Sequence, residues 1–118
     1  AYVIAPTRAI VQALKRSHPH LPLIGFPRRA GALTGAYAQA TGVDAVGLDE
    51  GQPLRYIANT LQPHCAVQGN LDPLLLQYDR KRMMEEAKNI IAALQPTPND
   101  GRKNFLFNLG HGIGQHTP

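Results

Sequence analysis

The chain has 118 residues, 43% of them hydrophobic and 17% charged, which suits one domain with a modest core and is too apolar for a disordered segment. Its net charge of +4 comes without a long basic run or interleaved aromatics, so it does not describe a nucleic-acid binder. No apolar stretch approaches the roughly 18–20 residues of a membrane helix, and no signal or lipidation pattern occurs.

In chain order, residues 7–17 (TRAIVQALKRS) predict a helix with Thr7 as N-cap and Ile10, Val11 and Leu14 on one face. HPHLP ends it, and residues 21–26 form a short apolar strand. GALTGAYAQAT predicts a small-residue helix over 31–41, closed by Gly42. A second strand follows over 43–49, then a short helix over 53–61 with Pro53 at its start. The third strand is HCAVQGNL, 64–71. Asp72-Pro73 then opens one long helix reaching Leu94, in which Arg80-Lys81-Arg82 reads as a solvated face. QPTPNDGRK is a loop, and 104–109 is the fourth strand.

Strands separated by helices pair in parallel through right-handed crossovers, and short all-apolar strands fit a sheet covered on both faces. An open doubly wound sheet and a segment of a (β/α)8 barrel both satisfy that order. The strand ends favour the barrel. They read GFPRRAG, VGLDEG, VQGNLDP and NLGHG, with Gly25, Gly47 and Gly69 at equal spacing. Glycine there lets the backbone turn sharply or a ligand approach. A barrel builds its site from all such ends, whereas an open sheet uses one switch point.

Among residues able to carry chemistry, His111 stands between two glycines, unshielded, where an imidazole can meet a carboxylate or exchange a proton. The bland alternative is an ordinary loop histidine. Arg28 and Arg29 follow the first strand as secondary candidates for carboxylates, against a reading as solvated charge. Asn70 ends the third strand with free hydrogen-bonding groups. Asp72 reads as the cap of the long helix; Asp49 and Glu50 could bind a cation or orient a base, with helix capping or packing against Arg55 the favoured reading. His64 and Cys65 begin their strand, at the end opposite these tips, so no metal site is assigned to them. His18, His20 and His116 read as loop or terminal residues. The lone Cys65 excludes an internal disulfide and a CxxC zinc site and fits a reducing compartment.

GFPRRAGAL, TGVDAVGLDEGQPL, AVQGNLDPLLL and FLFNLGHGI, between residues 23 and 113, resemble the C-terminal half of the uroporphyrinogen decarboxylase family, with GFPRRAG fitting a bacterial-type member. The resemblance implies the second half of a (β/α)8 barrel, a cytoplasmic homodimer, and a tetrapyrrole substrate with no nucleic-acid or membrane partner. It implies removal of carboxyl groups from four acetate side chains of uroporphyrinogen to give coproporphyrinogen and carbon dioxide, with no metal or cofactor. A protonated pyrrole carbon gives an iminium that accepts the electrons released as carbon dioxide leaves, so the substrate serves as its own electron sink. By the same resemblance His111 matches the family's substrate-binding histidine after the last strand. The family's N-terminal arginines, central aspartate, tyrosine and mid-chain serine or threonine have no counterpart here, and neither Asp49 nor Asp72 replaces the aspartate.

A chain starting at Ala1 and stopping at Pro118 just after a strand reads as a partial domain, expected to be inactive and aggregation-prone alone. One alternative is a zinc-dependent methyltransferase barrel using cobalamin or a folate, disfavoured because the last strand ends in GHG with no cysteine near the tips. The other is a non-catalytic association fragment.

Overall fold

Helix and apolar strand alternate as the sequence requires, but several boundaries move. The computed structural model describes residues 2–117, so Ala1 and Pro118, on which the partial-domain reading rested, lie outside it. Helix α1 spans Ile4–Ser17 and begins before Thr7. Pro6 falls in its first turn, where a missing N–H leaves no bond unmade, and the cap position is Val3. Strand β1 is only Ile24–Gly25. Just before it the Leu23 amide donates to Asp44 Oδ2 at 2.8 Å, and the Leu23 carbonyl accepts the Asp44 amide at 2.9 Å and the Ala45 amide at 3.2 Å.

A 3-10 turn over Gly31–Leu33 leads into α2, Thr34–Thr41. Gly42 ends it at φ 76°, a left-handed conformation that glycine adopts without a Cβ penalty, with its N–H on the Ala38 carbonyl. Strand β2 is Ala45–Gly47. Helix α3, Leu54–Tyr56, runs into a wider π turn, Ile57–Leu61. Strand β3, Ala66–Leu71, starts after His64 and Cys65 rather than at them. The long helix is in fact two, α4 at Leu75–Tyr78 and α5 at Arg80–Leu94. The chain breaks at Asp79, whose carboxylate caps α5 by accepting the Arg82 amide at 2.9 Å. Strand β4 is Phe105–Leu109.

The four strands pair in parallel in the order β1-β2-β3-β4. Val46 sits beside Val67, and Val67 beside Phe105. A doubly wound sheet reverses direction at its switch point, whereas this sheet steps one way throughout, as consecutive staves of a (β/α)8 barrel do. Side chains alternate across it. Val46 and Val67 are fully buried against Ile57, Leu61, Ile90 and Leu94 on the helical side. Each such burial contributes about 1.5–3 kcal/mol. The expectation that both faces are covered fails for this chain: on the opposite face Ile24 is 50% exposed and Leu106 44%. No helix among the described residues is long and apolar enough to cross a membrane.

Candidate functional site

Parallel pairing sends all four C-terminal strand ends to one edge of the sheet, on the side the helices leave open. A cavity of about 450 Å³ lies there. Ile24 and Phe26 line it from the first strand, Gly47 and Leu48 from the second, Gln68 from the third, and residues 108–113 from the fourth. The walls are mostly apolar, and the polar groups facing in are few: Gln68, Asn108 and His111.

His111 is where the sequence placed it, beyond β4 on the cavity wall. Its ring is a quarter exposed, and both nitrogens have neighbours. Nδ1 lies 2.7 Å from the Gly112 carbonyl, which only accepts, so Nδ1 carries the proton. Nε2 lies 3.8 Å from Glu50 Oε1, a contact that becomes an ion pair when the ring is protonated.

The other sequence candidates are not brought into this cavity. Arg28 lies on the α2 side of the β1 tip, beside Val3, Ile4, Leu33 and Tyr37. Arg29 adopts φ 58° and gives its backbone N–H to Asp49 Oδ2 at 2.6 Å, with its side chain exposed. The free groups expected of Asn70 are half committed. The side chain is buried, and Nδ2 donates to the Asp49 and Gln52 carbonyls, both at 3.0 Å, leaving Oδ1 without a protein partner.

Asp49 serves neither Arg55 nor a helix cap. It is buried and ties loop to loop, accepting from Arg29 and, at 3.1 Å, from the Gly51 amide. Asp72 accepts the Leu74 amide on the approach to α4, while the cap of α5 is Asp79. Cys65 is buried, and burial pushes its thiol pKa up, which disfavours the thiolate a metal needs. Among the described residues no group of three or more metal-ligating side chains converges.

The evenly spaced glycines admit other parts of the chain at close range. A Cβ on Gly25 would strike the Tyr37 ring, one on Gly47 the Phe26 ring, and one on Gly69 the Leu48 carbonyl. Two participants escaped the sequence reading of the site. Gln68 and Asn108 carried a usable signal, a polar residue inside an otherwise apolar strand. Glu50 meets His111 at 3.8 Å, a contact that only the less favoured of its sequence readings, orienting a base, allowed for.

The family model described as "Uroporphyrinogen decarboxylase (URO-D)" matches residues 1–118. Proteins named uroporphyrinogen decarboxylase are similar to the chain. The one from Rhodospirillum rubrum is 46% identical over 117 residues, covering 99% of this chain and 32% of that protein. That of Novosphingobium aromaticivorans is 44% identical, with 33% of its length covered, and that of Neorickettsia sennetsu 41%, also with 33% covered. The chain thus spans about a third of the length of the curated relatives it matches. A match over all 118 residues, on a one-way parallel sheet of βα units, places the chain in the uroporphyrinogen decarboxylase family.

Proposed function

We propose that this chain is the C-terminal portion of a uroporphyrinogen decarboxylase, and that His111 contacts the anionic tetrapyrrole. One observation carries the reading: His111 stands on the wall of a cavity to which all four strands contribute. The uncovered apolar face beneath it suits completion by the remaining staves of a barrel, and the one-third coverage of the relatives supports the same view.

In this reading the protein holds a polyanion while the substrate supplies its own electron sink. Protonation of a pyrrole carbon creates an iminium, and the carbon–carbon bond to carbon dioxide breaks toward it. A proton then takes the vacated position, leaving a methyl group, and the proton first added to the ring carbon departs to restore the pyrrole. The protein's share is binding, orientation and proton management. A ring N–H of His111 is a donor for a substrate carboxylate. Arg28 and Arg29, both exposed at the β1 tip, serve carboxylates further out. Asn70 acts at one remove, as a brace for the loop that carries Asp49 and Glu50. The reading extends to a cytoplasmic homodimer that needs no cofactor, and to a 118-residue piece without turnover of its own.

The test is an assay of the full-length protein carrying this segment, following uroporphyrinogen loss, coproporphyrinogen formation and carbon dioxide release, alongside His111→Asn and the isolated piece. Decarboxylation with KM raised in His111→Asn is the expected result. Absence of decarboxylation, or an unaltered KM, overturns the corresponding part of the proposal, and turnover by the isolated piece overturns its inactivity.

A further inference from the structure

Both nitrogens of His111 face acceptors; with the Nδ1 proton on the Gly112 carbonyl, Nε2 offers an N–H only in the imidazolium form, and a substrate carboxylate reaches it only by displacing Glu50. The two contacts are unequal. Nδ1 sits 2.7 Å from the neighbouring Gly112 carbonyl, a normal hydrogen-bond length, whereas Nε2 faces Glu50 at 3.8 Å, beyond hydrogen-bond range. The Glu50 contact is therefore the one that yields.

Glu50 reaches His111 from the loop after β2 and does not itself line the cavity. Its carboxylate lies across Gly110: a Cβ there would come within 3.0 Å of Oε2, while Oε1 is the oxygen facing the ring. The missing side chain at Gly110 lets the backbone at Glu50 close in, its amide nearest, and so brings the carboxylate beside the imidazole. Glu50 is about a third exposed, so water is at hand to solvate it once it is released.

We propose that Glu50 is an internal competitor for His111, a resting partner on Nε2 that an incoming substrate carboxylate must displace. The proposal rests on His111 being a substrate contact. It gives the site a threshold: a ligand engages the imidazole only if its carboxylate outcompetes one already present. Glu50 acts through His111 and touches no reacting atom, which makes it a specificity-determining residue and not a catalytic one.

The test is a double-mutant cycle in the full-length protein, comparing wild type, Glu50→Gln, His111→Asn and the double variant, with KM for uroporphyrinogen as the readout. An exposed ion pair of this kind corresponds to about a threefold effect, so Glu50→Gln is expected to lower KM about threefold. In the His111→Asn background the same change is expected to have almost no effect. A KM that is unchanged or raised by Glu50→Gln, or that falls equally in both backgrounds, overturns the competitor role. His111→Asn with wild-type KM instead overturns the reading of His111 as a substrate contact, so the two failures are distinguishable. The His111 ring resonances, compared without substrate in wild type and Glu50→Gln, give a second measurement: they shift if the pair exists in solution, and identical spectra overturn it.

Discussion

The Asp49 carboxylate accepts the Arg29 amide at 2.6 Å, joining the loop after β1 to the loop after β2 across the rim of the sheet. It also holds the Gly51 amide, and the Asp49 carbonyl takes the Asn70 side chain. Asp49→Ala strands two amides at once and is expected to cost about 1.5–3 kcal/mol. Urea unfolding measures that loss. Hydrogen exchange then locates it: the Arg29 and Gly51 amides lose protection first.

Gly110 is buried, and an added Cβ would crowd the Glu50 amide and lie 3.1 Å from the Asp49 carbonyl carbon. Gly110→Ala therefore forces backbone apart at the β4 tip, for an expected loss of about 1–3 kcal/mol. Gly112, two residues on, has open space around it. Gly112→Ala is expected to stay within about 0.5 kcal/mol of wild type, and the contrast is read from paired urea midpoints.

Gln62 is fully buried at the end of the π turn. Its Nε2 donates to the Leu94 carbonyl at 2.8 Å and the Lys103 carbonyl at 3.0 Å, while the Gln62 carbonyl accepts the Lys103 amide. Arg102 seals the same joint through the Ala93 and Gln95 carbonyls. Gln62→Ala removes the donor from the buried Leu94 carbonyl and the part-buried Lys103 carbonyl, so about 1–3 kcal/mol is expected to be lost in denaturant titration.

Asp44 sets the acid limit. A hydrogen bond from the Lys15 ammonium, then one from the Leu23 amide, hold its carboxyl below the ordinary 3.8. Asp100 is likewise held low by the Thr97 and Arg102 amides. A carboxyl depressed in the folded state stabilises fully above its unfolded value near 3.9, and that stability is lost as pH falls through the folded value. Stability is therefore expected to decline below about pH 4. The Lys15–Asp44 pair is more than a third exposed, so Asp44→Asn is expected to cost at most about 1 kcal/mol at pH 7. The same substitution narrows the gap between pH 7 and pH 3, which thermal melts at the two values check.

The alternation of elements was legible because each strand is a short apolar run between polar breaks. One-way strand order was legible only indirectly, through chemistry at every strand end. The break at Asp79 was hidden: LLLQYDRKRM contains no proline or glycine, and Asp79 reads as an ordinary helical residue until its carboxylate is seen on the Arg82 amide. Thr7 misled because a good capping residue also fits inside a helix that a proline has already opened. At the site, the strand ending in Gly-His-Gly located His111 beyond a strand tip, where it lines the cavity. Asn70 was misread because one strand shows which groups a side chain carries, not which carbonyls a neighbouring loop brings to it. Glu50 was read for its local neighbour Arg55, and its real contact comes from a loop distant in sequence.

The carbonyls that Gln62 bridges belong to residues 32 and 41 positions further along the chain. That knot cannot tighten until the end of α5 and the approach to β4 have both arrived, so it is expected to form late in folding. Damage there should speed unfolding far more than it slows folding, so Gln62 governs how long the folded state lasts more than how quickly it is reached.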